Sequence, residues 1–398
     1  MHMHTSFSFN AFNWSPSDIA FQARKMGFHA AGIIDFDVLD GLHEFIKASE
    51  ILELRSTVGI ETRTFNDLYS GKEIDSPGEP GISYISGTGL INIPEGSDGD
   101  FLHMLKSTAK KRNETLISRI NAQLSEIAVD YENGVLPMTP AGNATERHIV
   151  KAYIRKSKEK FTDVEEQKKF WSKVLGLNIT KLPESLADPG FENKVRARLA
   201  KRGGIGYVQP TAESFPKTKD VFEWLTRCGG IPVESWLDGT SEGENDPFQL
   251  LENAYSLGAR ALNIIPDRNW NIQDKTKQKI KYQNLKQIIE SARSVQMPIM
   301  IGTELNKTGQ PLYDDIGNPF LKPFANDFLT GANVIIGHNI LSRFAGVGYC
   351  GEKAEYLFQD NIKKKNLFFS LVGALPPVGT HIAEKLNEKG EKQAFDII

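Results

Sequence analysis

Ala30-Ala31-Gly32-Ile33-Ile34-Asp35-Phe36-Asp37 is an apolar run that ends in two carboxylates. Its length and its β-branched centre predict a buried strand, with Asp35 and Asp37 at its C-terminal end. A helix is expected before it: Ser15-Pro16-Ser17-Asp18 offers a capping serine, a proline for the first turn and an acid near the positive end of the dipole, and Gly27 stops the helix after Met26. A second helix is expected over 40–54, then a strand Thr57–Ile60 that delivers Glu61. Short loops joining β-α-β-α-β predict a parallel sheet.

Outward from this core the alternation breaks and resumes. Residues 70–100 are rich in Gly, Pro and Ser, with one strand expected at Ile82–Ile85. A long helix over 101–130 carries Leu116, Ile120, Leu124 and Ile127 at helical spacing, and helical patterning continues from Thr145 to Lys201 with a proline break near 183. Helices at 217–227, 246–257, 282–295 and 324–330 then precede strands Ile231–Val233, Ala261–Ile265, Pro298–Ile301 and Asn333–Ile336. Helices at 352–372 and 379–389 end the pattern.

Seven or eight strands with intervening helices favour a distorted (β/α)7-8 TIM-like barrel, an α/β fold, over an open doubly wound sheet. Residues 1–99 and 216–345 would form its two parts, 100–215 an all-α insertion, and 346–398 C-terminal helices. Polar residues fall just past the apolar runs: His2 and His4, Asp35 and Asp37, Glu61, Glu234-Ser235, Asp267-Arg268, Glu304 and Asn306, and His338. A barrel would gather them in one mouth. His2 and His4, two apart, point to one face if extended and can grip one ion together. If His2 ends a core strand, that strand has almost nothing before it, which points to a start upstream of Met1.

The 398 residues carry a net charge of −3 and 24% charged side chains, which argues against a general nucleic-acid or membrane partner. Basic runs such as Lys110-Lys111-Arg112 and Lys363-Lys364-Lys365 read as solvated helix faces. Two cysteines, Cys228 and Cys350, make no disulfide framework and suggest a reducing, cytoplasmic setting. No apolar run reaches membrane-spanning length and no signal peptide opens the chain.

With these residues in hand, the chain resembles the polymerase and histidinol phosphatase (PHP) superfamily of metal-dependent phosphoesterases. His2-Met3-His4-Thr5 resembles its opening motif, and Asp35-Phe36-Asp37-Val38-Leu39-Asp40-Gly41-Leu42 its Asp-His-Asp-x-x-x-Gly-Leu motif with the His changed. Gly59-Ile60-Glu61 matches Gly-(Ile/Val)-Glu. Gly142-Asn143-Ala144-Thr145-Glu146-Arg147-His148-Ile149 resembles the Arg-Pro-His-Ile-Ala element, and Gly302-Thr303-Glu304-Leu305-Asn306 the final Gly-Ser-Asp-x-His.

The resemblance implies divalent ions (Zn, Mn or Fe), one to two of them: one held by His2, His4, Glu61 and Glu304, a second shared by Glu61 and His148. A third site of the family is lost here, its ligand positions reading Phe9, Phe36 and Asn306. The implied activity is hydrolysis of a phosphoester or related small anionic substrate, in which the ion lowers the pKa of a bound water toward ~7. Arg63 and Arg268 are the expected anion-orienting groups. His338 is a further catalytic candidate, and Trp236, Trp270, Asn306 and Lys307 are expected to contact substrate. Two rival readings stay open: a degenerate barrel that binds a sugar or nucleotide without turnover, and a metal-assisted lyase or isomerase acting on a sugar derivative.

Overall fold

The computed structural model describes all 398 residues. They divide into two compact units: residues 1–5, 10–102 and 211–398, and residues 6–9 and 103–210.

The first unit is built on a six-stranded sheet in sequence order: β1 (Ala31–Phe36), β2 (Ser56–Phe65), β3 (Ile82–Thr88), β4 (Ile231–Trp236), β5 (Ala261–Ile264) and β6 (Ile299–Ile301). β1–β2, β4–β5 and β5–β6 pair in parallel. β3 runs antiparallel to both its neighbours, so the sheet is mixed where an all-parallel one is expected. The extended N-terminal residues tie its two edges together. Met3 bridges to Ile33 of β1 and to Glu304 beyond β6, and the Ile34 amide donates to Met3 O at 2.9 Å. The His4 amide donates to Glu304 O at 2.7 Å and the Glu304 amide to His2 O at 2.8 Å. This barrel-like closure needs Gly302, because a Cβ there would overlap the backbone of His2.

Helix α1 (Pro16–Lys25) precedes β1, α2 (Leu42–Ile51) lies between β1 and β2, and α3 (Gly96–Gln123) begins after β3. The cap on α1 is the one expected: Ser15 and Asp18 form a capping box, with Pro16 in the first turn. In the second unit, α3 continues and is followed by α4 (Glu146–Lys160), α5 (Val164–Leu175) and α6 (Pro189–Ala200). Their core is formed around Ile120, Tyr153, Trp171 and Phe191, all fully buried.

The first unit resumes with α7 (Thr218–Arg227), α8 (Pro247–Leu257), a single turn α9 (Asp267–Trp270) and α10 (Lys275–Ser294). The strand expected at Asn333–Ile336 is instead the middle of α11 (Ala325–Ala345), where Asn333 to His338 are all buried. The expected helix over 352–372 is two helices, α12 (Glu352–Phe358) and α13 (Ile362–Ala374), followed by α14 (Thr380–Lys389) and α15 (Glu391–Ile397). The sheet therefore has six strands, short of the seven or eight of a full barrel, and the N-terminal segment adds only isolated bridges at Met3. No helix is long and apolar enough to cross a membrane.

The sheet packs on helices through both faces. Trp236, Leu262, Ile264 and Ile299 pack with Leu250 and Leu285 of α8 and α10. Val233, Ala261, Met300 and Ile34 pack on the opposite face with Val334 and Ile335 of α11.

Candidate metal centre

Glu61 is delivered by β2, and His2 and His4 by the extended N-terminal segment; all three are buried. Alternation along that segment puts both imidazoles on one side of Met3, whose carbonyl holds the segment to β1. Nε2 of His2 lies 3.5 Å and Nε2 of His4 3.2 Å from Oε2 of Glu61. The three ligand atoms are within 4.8 Å of one another. Tetrahedral coordination with bonds of ~2.0–2.1 Å sets ligand atoms about 3.3 Å apart, so the spacing fits one small divalent ion. Neither ring nitrogen of His2 nor Oε2 of Glu61 makes a protein hydrogen bond of good geometry. Such orphaned, converging acceptors are what a cation satisfies.

The electrostatics agree. Burial alone would raise the Glu61 carboxyl, yet the adjoining His2 and His4 imidazoles hold it down at about 2. Burial would lower His4, yet Glu61, then Asp35 and Glu304, raise it. The second layer is well bonded. Asp35 accepts from the Thr5 amide at 2.7 Å and the Thr5 hydroxyl at 2.6 Å, while Asn10 Nδ2 donates to His4 O at 2.8 Å. Asp35 therefore orients the segment beside His4. Asp37, at φ 58°, accepts from the Thr62 hydroxyl at 2.6 Å. Phe36, at a position where the resemblance expects a lost ligand, stacks on His4 with ring centroids 4.5 Å apart.

Several expected site residues stand elsewhere or are engaged. The carboxylate of Glu304 is paired with Arg268 and accepts from Gln310 Nε2 at 3.2 Å, and it does not join the three-residue cluster. Glu304 and Leu305 both hold positive φ, 62° and 51°, a strain placed beside the His2 and His4 backbone. Arg63 is paired with Glu79 and lies over the Tyr84 and Phe215 rings. The two arginines expected to orient an anion are thus each neutralised.

His338 is not at a strand end. It is buried in α11, with Nε2 donating to Gly89 O at 3.0 Å and Nδ1 accepting from the Tyr349 amide at 2.9 Å. Both nitrogens serve packing, and burial holds the ring down at about 4. Trp236 is buried in the apolar face beneath α8 and α10, away from the face that carries Glu61. Trp270 is half-buried and stacks on Phe320. Asn306 is half-buried and Lys307 exposed. Glu234 lies within β4 on the face of Trp236, where burial, then the charge of Glu244, pushes it up to about 8.

His148 belongs to the second unit. Its Nδ1 accepts from the Thr145 amide at 3.1 Å in a capping box, and its ring meets Phe9 edge-on at 5.2 Å. Burial, then the Lys151 charge, lowers it to about 4, so the ring is neutral. Burial raises both thiols, Cys228 and Cys350, to about 12, leaving neither as a nucleophile.

Sequence reasoning passed over Ser86, Asn263, Glu79 and Gln310. A polar residue inside an apolar run was the available signal for Asn263 in Ala261–Ile265. Glu79 and Gln310, in loops, carried none.

No protein family and no curated protein matches the chain. Solved structures do match it. A proposed metal-dependent phosphoesterase from Bifidobacterium adolescentis aligns with a TM-score of 0.51 at 16% identity, over 82% of this chain and 95% of its own. An amidohydrolase from Chromobacterium violaceum, solved with sulfate and no metal, aligns with a TM-score of 0.50 at 14% identity over the same shares. At such identities the likeness is one of fold.

Proposed function

We propose that this chain is a metal-dependent hydrolase of the PHP type acting on a small molecule. The observation that carries the reading is the buried cluster of His2, His4 and Glu61, whose ligand atoms are spaced for one ion. Two imidazoles and a carboxylate suit Zn, Mn or Fe. When bound, such an ion supplies Lewis acidity and lowers the pKa of water toward ~7. The fold shared with a proposed metal-dependent phosphoesterase and an amidohydrolase supports the same reaction class.

The chain's own residues define the rest of the site. Asp35 and Thr5 fix the backbone beside His4, and Phe36 covers one face of its ring. Arg268, Glu304 and Gln310 form a polar chain at the strand ends, with Asn306 and Lys307 next in sequence as substrate contacts. The phosphoester clause of the resemblance has the weakest support, because Arg63 and Arg268 already hold carboxylate partners.

Elemental analysis of purified protein beside a His2→Ala/His4→Ala variant tests this. About one equivalent of Zn, Mn or Fe, lost in the variant, is expected. No bound metal after incubation with those ions would replace the hydrolase with a barrel that binds ligand without turnover.

A further inference from the structure

The face of the sheet that carries Glu61 holds more polarity than the metal cluster uses. In register, Glu61 pairs with Phe36 on one side and Ser86 on the other, and Ser86 pairs with Val233. One step farther along β4 and β5, Ser235 pairs with Asn263, which pairs with Met300. Val233 and Met300 belong to the face packed on α11, while Trp236 and Leu262, next to Ser235 and Asn263 in sequence, belong to the other. Ser86, Ser235 and Asn263 therefore share the Glu61 side.

All three are buried, at 0%, 8% and 3% exposure, and Ser86 Oγ, Ser235 Oγ and Asn263 Oδ1 have no protein hydrogen-bond partner. Leaving such atoms unpaired is costly, and native proteins retain them where a ligand completes them. Their chemistry selects that ligand. Two hydroxyls donate or accept, and a carboxamide presents one acceptor beside its donors. A phosphate dianion only accepts, so it would leave Asn263 Oδ1 unpaired. The two arginines that would hold a phosphate are neutralised, Arg63 by Glu79 and Arg268 by Glu304. A planar, uncharged amide pairs with Asn263 through its N–H and takes a serine O–H on its carbonyl.

Resting on the metal-dependent hydrolase reading, we infer that Ser86, Ser235 and Asn263 form the wall that binds the substrate, and that the group bound there is a neutral carboxamide rather than a phosphate.

The test uses the full-length metal-free chain and three single variants, Ser86→Ala, Ser235→Ala and Asn263→Leu. If these atoms await a ligand, each variant unfolds at or above the wild-type temperature; a drop beyond ~3 °C shows a structural partner and overturns the inference. The second arm compares acetamide, glycerol and inorganic phosphate as probes. Acetamide is expected to shift the wild-type midpoint upward relative to the variants, while glycerol and phosphate move wild type and variants alike. A wild-type-specific shift with phosphate or glycerol but not acetamide, or with none of the three, overturns it. Metal content of the same wild-type protein after reloading reports on the hydrolase reading separately, since neither arm requires metal.

Discussion

Arg268 donates a guanidinium hydrogen bond to Oε2 of Glu304, and the same oxygen accepts from Gln310. The carboxylate that follows β6 is therefore held outside the His2–His4–Glu61 cluster. Glu304→Gln is expected to weaken metal binding by ~10–100-fold at most, an outer-layer effect, whereas Glu61→Gln, at a ligand, weakens it by more than that. Competition titrations with a chromogenic chelator read both. Equal losses in the two variants would return Glu304 to the ligand set.

Metal removal should register in stability. A ligand that binds only the folded state at 100 times its Kd adds ~2.7 kcal/mol. Chelator treatment is expected to lower the unfolding midpoint of wild type and to leave His2→Ala/His4→Ala unmoved. A midpoint indifferent to chelator in protein shown to contain metal would place that metal away from these residues.

His338 predicts a structural phenotype. His338→Ala strands Gly89 O and the Tyr349 amide and should cost ~2–4 kcal/mol in urea unfolding, with metal content unchanged. Its folded pKa of about 4 lies below the unfolded ~6.5, so the folded ring resists protonation. The unfolded state binds the extra proton first, and stability falls as pH drops from ~6.5 through about 4. His338→Gln should flatten that limb. Normal stability with lost metal binding in His338→Ala would contradict the assignment.

Glu234 predicts the opposite limb. Its folded pKa of about 8 exceeds the unfolded ~4.5, so the folded state holds a proton that the unfolded state releases. Stability attributable to this group is greatest below ~4.5 and declines as pH rises toward about 8, by on the order of a few kcal/mol. Glu244, pushed up to about 7 by burial against the pull of three backbone amides, and Asp75 add to the same slope. Glu234→Gln should stabilise the protein at pH 8 and make that slope shallower. An unchanged pH profile would show that Glu234 is ionised in place.

Much of this arrangement is written in local pattern. The apolar runs before Asp35 and Glu61 are β1 and β2, and Ser15-Pro16 starts α1 as its capping chemistry requires. What failed did so for physical reasons. Asn333-Val334-Ile335-Ile336 reads as a strand because the middle of α11 is buried without interruption from Asn333 to His338 and so shows no polar stripe there to betray a helical period. The antiparallel direction of β3 leaves no trace in its composition. Within the site, a carboxylate after an apolar run could be a ligand or an ion-pair partner: Glu61, inside β2, faces two imidazoles, and Glu304, beyond β6, an arginine. The alternation that placed Glu61 would also have placed Glu234 on the far face, had its strand been extended to Trp236.

The bridging of Met3 to both Ile33 and Glu304 has a consequence for synthesis. The segment that carries both imidazoles is secured by residues made some three hundred positions later. Until β6 and Glu304 emerge, the imidazole pair has only one flank to rest against, and the loop to be closed is among the longest the chain allows. Metal capture is thereby coupled to near-completion of the barrel-like unit. A nascent or truncated chain that stops short of β6 would carry both histidines and Glu61 and still lack an ordered place to present them.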